Sequence, residues 1–504
     1  MDSRIKTNKQ IADNVIILMI SKGLSRVGTA TMGLILVRLL SQVDYGSYLQ
    51  FNLVFLTVTY LAIMSVPSTV YYYLPTLRQE AVKPFILQTL LILAGIGLLT
   101  GAGMYVLGGR LFAAMNNPML TRYMLHLAAL MTLTMMIEVM EPLFVTLRRP
   151  HILTFVSAAH AVANITCSVT ALVLGYGLDG IIAVWVGLLA ARLLFLLSYM
   201  AALPGNAREV FRDVGFREQL GYATPLGLGR ATGIVSGKVD KFVISGFFSP
   251  AQYAIYARGG LSLPVYSIFV QNVANVILPR LVALVKEGRA AECLQLWHAA
   301  IKRSALVIMP TFAFVLFFAS PIFVTLFTER YLGSVQFFRI FIMAMPLQVA
   351  VYGILHQAFG NTRIILFNNL IALACSAALS LGLYHVLGFI GPAVASTLTG
   401  LILIFMNLSI VKGYFKASWA RVFPWSYLGR VLALSLALIA AVYPVATWAG
   451  LSAPFTVLLG AALYCPAYVL CCLQLGFVAD HDRELLLSWL RPSEIRRKFK
   501  LAVS

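Results

Sequence analysis

Ten charged residues stand inside long apolar stretches of this sequence. They are the cations Lys22, Arg26, Arg192, Arg230, Lys238, Lys241 and Arg258, and the acids Glu138, Glu141 and Asp240. Each charge placed near the middle of an apolar layer costs roughly 2.5–3.5 kcal/mol on insertion scales. Seven bare cations facing lipid are therefore excluded on energy. A water-filled cavity with net positive charge accommodates them. Lys and Arg in such a cavity suit a phosphate-bearing anion, Arg by bidentate hydrogen bonds and Lys as a point charge. An amphipathic molecule with a diphosphate head and a lipid tail fits this chemistry. Lys22, Arg26 and Arg230 are the leading substrate cations, followed by Lys238, Lys241 and Arg258. The carboxyls of Glu138, Glu141 and Asp240 are the candidates for coupling to an ion. An Asp240–Arg258 ion pair is expected from their equal distance to Ser249, and Arg192 is expected to meet Glu138 or Glu141.

The elements carrying these charges are membrane helices. The chain has 504 residues, 60% hydrophobic and 11% charged, with mean hydropathy +0.87. A soluble domain carries about 25% charged residues. At about 20 apolar residues per span, fourteen spans are expected: 12–37, 45–70, 84–107, 120–146, 152–175, 180–202, 218–247, 251–279, 294–320, 335–358, 364–386, 390–412, 427–448 and 453–475. Most of the 38 Lys and Arg fall in the loops of one side, which places both termini in the cytoplasm by the positive-inside rule. The net charge of +20 follows from this sorting and calls for no nucleic-acid partner.

Two halves of the chain repeat one another. SQVDYGSY (41–48) is matched by SPAQYAIY (249–256), LPTL (74–77) by LPRL (278–281), and GLDGIIA (177–183) by GFIGPAV (388–394). Six spans per half put both halves in the same orientation, related by an axis along the membrane normal. The expected organisation is an all-α polytopic membrane protein. Its parts are an N-lobe (1–205, helices 1–6), a C-lobe (206–415, helices 7–12), two further helices (416–476), and a cytoplasmic amphipathic basic tail (477–504). The octets read as turns, with tyrosines near the interface. The same register sets Lys22 against Arg230, 208 positions on, as two cations facing one another.

Other chemistry is missing from the pattern. The six Cys form no CxxC motif, and no Ser/His/Asp, HExxH or phosphate-loop constellation is found. The chain reads as no enzyme, with no metal site and no cofactor. His126, His160, His356 and His385 read as helix-packing residues.

SKGLSRVG (21–28), VRLLSQVDYGSY (37–48), YYYLP (71–75) and VDKFVISGFFSPAQYAIYARGG (239–260) resemble bacterial polysaccharide exporters. These are the Wzx-like lipid-linked oligosaccharide flippases of the multidrug/oligosaccharidyl-lipid/polysaccharide exporter superfamily. The resemblance implies alternating-access movement of undecaprenyl-diphosphate-linked repeat units across the bacterial inner membrane, for O-antigen, capsule or exopolysaccharide. It implies a cationic substrate cavity onto which Lys22, Arg26 and Arg230 map, and coupling to a proton or sodium gradient. It also implies contact with membrane lipids and with a polysaccharide polymerase complex. A multidrug antiporter and a lipid II flippase of the same fold are the alternatives, the first disfavoured by the positive sign of the cavity.

Overall fold

The computed structural model describes residues 22–23, 26–261, 263–361 and 363–478, and the backbone alone at 264–268. Much of the first expected span, and nearly all of the basic tail, lie outside the described residues. Among the described residues all regular structure is helical.

The helices in the first part of the chain are α1 (26–39), α2 (Gln42–Ala62), α3 (Ser68–Tyr73), α4 (Gln79–Ala114), α5 (Met124–Ile137), α6 (Met140–Thr146), α7 (Pro150–Val173), α8 (Gly177–Ala201), α9 (Phe216–Ser236), α10 (Val239–Phe247) and α11 (Pro250–Gly259). Then come α12 (Pro264–Lys286), α13 (Ala290–Phe317), α14 (Ala319–Phe327), α15 (Ser334–Ile342), α16 (Gly353–Ala358), α17 (Arg363–Leu387), α18 (Gly391–Phe415), α19 (Trp419–Val422), α20 (Trp425–Trp448) and α21 (Ala453–Gln474). Nine helical stretches among the described residues are long and apolar enough to cross a membrane.

Several expected spans are interrupted; 45–70, 218–247 and 335–358 are absent from the nine as continuous stretches, 120–146 is counted despite its break, and 364–386 and 390–412 run together as one. The 45–70 span is cut between α2 and α3. Met64 and Ser65 take left-handed φ of 47° and 58° there, and Pro67 has no N–H to continue the ladder. The 120–146 span breaks at Glu138–Val139, between α5 and α6. Pro142 removes the donor that would have bonded the Glu138 carbonyl. The 218–247 span breaks at Gly237–Lys238, and the 335–358 span runs as α15, a short 3-10 turn and α16.

Packing gathers the chain into two compact units. The first holds residues up to Arg258 together with Leu366–Ser396; the second holds Gly259–Ile365 and the chain from Thr397. This division by packing is a separate property from the sequence repeat.

Two buried polar networks order the first unit. At one, Gln219 of α9 donates to Thr69 and Thr89 (both 2.9 Å), and its carbonyl accepts from Gln88 at 2.8 Å. Gln88 also donates to the Val214 carbonyl (3.0 Å) and accepts from the Phe211 N–H (2.9 Å). At the other, Gln50 of α2 donates to Ser245 of α10 at 2.7 Å and to the Met115 carbonyl at 3.0 Å. Asn117 donates to Gln50 (2.7 Å) and Ser47 (2.8 Å). Every one of these amides is shielded from water, so each must find partners inside the protein.

The repeated octets, expected as turns, are helix starts: only Ser41 and Ser249 lie outside a helix, and the seven residues after each belong to α2 and α11. Ser41 Oγ accepts from the Asp44 N–H at 3.1 Å, and Ser249 Oγ from the Gln252 N–H at 3.3 Å. Each serine thus caps the next helix. The tyrosines differ from expectation: Tyr45, Tyr253 and Tyr256 are buried in protein, not displayed at an interface. The octets also meet, since a Cβ on Gly46 would run into the Pro250 carbonyl. In the second unit, Ala313, Phe318, Ile439, Ala446 and Tyr464 form a core joining α13, α20 and α21.

Gly46→Ala is expected to destabilise the protein by about 1–3 kcal/mol through overpacking, outweighing a helix-propensity gain of roughly 1 kcal/mol. Gly95→Ala, on an exposed face with nothing within 4 Å, keeps that gain. Thermal unfolding of both variants in detergent checks this; equal Tm for the two would disprove the close approach.

Candidate functional site

The interrupted helices bring the sequence-predicted charges to two places in the first unit. The first is centred on the short helix α3. Its Ser68 and Tyr71 are three residues apart and so share a face. Arg230 Nη1 lies 3.4 Å from Ser68 Oγ, and the Tyr71 hydroxyl lies against Glu141. Lys22 Nζ in turn pairs with Glu141 Oε1 at 2.7 Å. The two cations placed in register by the repeat therefore both reach this one helix, Arg230 directly and Lys22 through Glu141.

The backbone makes this approach feasible. Gly227 sits one turn before Arg230 on α9, and a Cβ there would strike the Met64 backbone at the α2/α3 break. A larger residue would push α9, and with it Arg230, away from α3. The Lys22–Glu141 pair is about half exposed, at 54% and 40%, and Arg230 and Arg26 are exposed. These side chains are not enclosed by the protein itself.

Beside this group, Glu138 occupies the α5/α6 break. Tyr60 donates to its Oε1 at 3.3 Å, and Arg192 of α8 is its electrostatic partner. Of the two acids expected near Arg192, Glu138 is its electrostatic neighbour. His160 of α7 neighbours Arg192, and neither His160 Nδ1 nor Arg192 Nε has a hydrogen-bond partner among the described residues. Sequence reading passed over Tyr60, Ser68 and Tyr71, and assigned His160 to packing. The signal available for the first three was a hydroxyl next to a proline-interrupted apolar run.

The second place lies around α10 and α11. Asp240 is buried and accepts the Tyr256 hydroxyl at 2.8 Å. The Arg258 guanidinium lies 4.9 Å over the Tyr45 ring. Of the expected Asp240–Arg258 pair, the acid holds the Tyr256 hydroxyl and the guanidinium lies on the Tyr45 ring. Lys238 and Lys241 are electrostatic neighbours of each other, and Lys241 also neighbours Asp240. Lys241 and Arg258 thus have an acidic and an aromatic neighbour respectively. His356, read as packing, is fully buried against Asn407 (2.6 Å) and Tyr414 (3.1 Å).

Chemically, the α3 group offers two cations, a carboxylate and two hydroxyls. Glu138→Ala is expected to lower Tm by leaving Arg192 uncompensated, and Arg192→Leu in the same chain to recover part of the loss. A coupling of about 0.5–3 kcal/mol in the double-mutant cycle is expected; strictly additive losses would show that the two groups do not interact.

The fold is shared with solved transporters. A lipid II flippase, MurJ in its inward closed conformation, aligns with a TM-score of 0.66 at 15% identity, over 91% of this chain and 99% of that one. A multidrug resistance MATE family transporter of the MOP superfamily in its inward-facing conformation aligns with a TM-score of 0.64 at 15% identity, over 80% of this chain and 99% of that one. A MOP superfamily transporter from Pyrococcus furiosus, described as having a binding pocket of reversed polarity, aligns at 0.51 and 14% identity, over 81% of this chain and 96% of that one. No curated protein matches the sequence significantly. The family model for polysaccharide biosynthesis proteins matches residues 35–336. With that match over more than half its length, the chain belongs to the polysaccharide biosynthesis protein family, in a fold it shares with these transporters.

Proposed function

We propose that this protein is a flippase that moves undecaprenyl-diphosphate-linked oligosaccharide repeat units from the cytoplasmic to the outer leaflet of the bacterial inner membrane by alternating access. The observation that carries the reading is the approach of Lys22 and Arg230 to one short helix, within a family tied to polysaccharide biosynthesis. A diphosphate entering this group takes hydrogen bonds from Arg230 and displaces Glu141 from Lys22. The released Glu141 then becomes free to take up a proton or a sodium ion. That exchange supplies a physical link between substrate and coupling ion without any cofactor. Arg26 adds charge one turn from Lys22. Lys238, Lys241 and Arg258 extend the positive field, with Glu138 and Asp240 as further coupling carboxyls.

The full reading has fourteen spans in two six-helix lobes, 1–205 and 206–415, plus the pair in 416–476. The interrupted helices support the count: each interrupted stretch is long enough to cross when its pieces are joined. Broken spans are tolerated where they line protein or water rather than lipid. Both termini, including the 477–504 tail, lie in the cytoplasm, beside a polysaccharide polymerase complex.

The test is mass spectrometry of lipid extracts from cells lacking the protein. Undecaprenyl-diphosphate oligosaccharide is expected to accumulate and to be cleared by wild type. Lys22→Gln and Arg230→Gln each remove a charge-assisted contact of about 1.5–3 kcal/mol. The double variant should therefore clear the intermediate at least tenfold more slowly while inserting normally. Normal clearance by the double variant, or no lipid-linked intermediate at all, would overturn the proposal.

A further inference from the structure

The second unit holds a cationic cavity that the transport reading does not use. It has a volume of about 370 Å³ and lies among the N-terminal part of α13, the start of α20 and the chain just after α21. His298, Lys302 and Leu306 follow one another at four-residue spacing on α13, and so line one face of it. Arg303 and Gln295 flank that face, and Tyr427 and Phe477 close the other side. None of the lining residues is acidic.

The walls are built rather than incidental. The Tyr427 hydroxyl donates to the Phe477 carbonyl at 2.9 Å, fixing the end of the last helix over the cavity. Lys302 Nζ is held 5.4 Å from the centre of the Tyr427 ring, and the Arg430 guanidinium 5.9 Å from that of Phe477. Cations laid on aromatic faces stay partly desolvated and directional. His298 Nε2 donates to the Val422 carbonyl at 3.0 Å. The cavity thus has the cations Lys302 and Arg303 over an apolar wall that continues to Leu306, with Arg430 behind the Phe477 ring.

Its level along the helices is also marked. Trp419, Phe423 and Trp425 cluster at the same helix ends, with Trp425 Nε1 donating to the Trp419 carbonyl at 2.8 Å and Lys412 Nζ 5.4 Å from the Trp419 ring. Trp and Lys together are the signature of the headgroup layer. A basic pocket between helices at that depth is suited to a phosphodiester with acyl chains attached.

We infer that this cavity binds the headgroup of an anionic phospholipid, with the phosphate between Lys302 and Arg303 and an acyl chain along Leu306. The ligand is a resident lipid of the bilayer, distinct from the transported molecule. It would pin α13 to α20 and the end of α21, the same three helices joined at greater depth by the Phe318–Tyr464 core.

Native mass spectrometry of the full chain, purified from nanodiscs of phosphatidylglycerol or phosphatidylcholine, tests this. Wild type is expected to retain phosphatidylglycerol and not phosphatidylcholine. Lys302→Gln with Arg303→Gln should cut that retention about tenfold or more, near the effect of two juxtamembrane charges. Arg280→Gln with Lys286→Gln, an equal charge loss on exposed α12 positions, should leave it intact. Equal retention of the two lipids, or equal loss in both double variants, would overturn the site. Displacement of the lipid by excess inorganic phosphate would assign the cavity to free phosphate instead. Lipid retained only after Asp480→Asn, Asp482→Asn and Glu484→Gln together would make the chain's own acidic segment the occupant and end the lipid reading. The readout is lipid mass on intact protein, so it stands or falls independently of flippase activity.

Discussion

A buried amide in an apolar helix must have its partners inside the protein, and Gln219 and Gln50 impose that constraint on the whole first unit. Gln219 ties the start of α9 to α3 and α4 through Thr69, Thr89 and Gln88. Gln50 ties α2 to the far end of α10 through Ser245, and to the turn after α4 through Met115. The interrupted α9–α10 segment is therefore fixed at both ends. Between those fixed ends it carries Arg230, Lys238, Asp240 and Lys241. A fully satisfied network in a low-dielectric interior admits few alternative arrangements, so these charges are held where they are by neutral residues far from them in sequence.

The helix interruptions serve the same end. Proline, left-handed backbone and glycine break α2/α3, α5/α6 and α9/α10, and the charges collect at or beside those breaks. An unbroken helix would present Glu138 and Arg230 on rigid rods with no free backbone nearby. A break frees carbonyls and amides, needs water or side chains to satisfy them, and so selects for a solvated pocket. The energetic cost that makes intramembrane charge rare is lowered by the same feature that gives the charges a place to act.

The second unit has a different character. Its described helices α13, α20 and α21 pack through aromatic rings, among them Phe314 against Phe318 at 4.6 Å and Phe318 against Tyr443 at 5.1 Å. Gly460 lets the last helix close onto the Phe318 ring. Lys302 and Lys412 there lie on the aromatic faces of Tyr427 and Trp419 at the helix ends, while Arg289 pairs with Glu287 and Glu292. That arrangement suits anchoring in a headgroup layer, whereas the first unit's mixed charges suit exchange of partners.

Several features were set by the sequence alone. Apolar runs of span length leave membrane helices as the physical solution, and the repeated octets located two equivalent capped helix starts with Ser41 and Ser249 as the caps. The list of charges that had to be hidden from lipid was equally legible, because insertion cost depends on residue type and depth and little else. Partner choice was not legible. Lys22 meets Glu141, Asp240 holds the Tyr256 hydroxyl, and Arg258 lies on Tyr45, because contacts between helices depend on rotation and break angle. Those are fixed by packing of small residues such as Gly46 and Gly227 and by the amides of Gln50 and Gln219. Periodicity along one helix carries no information about the angle at which another helix arrives, so only the tertiary structure decided which charges became neighbours.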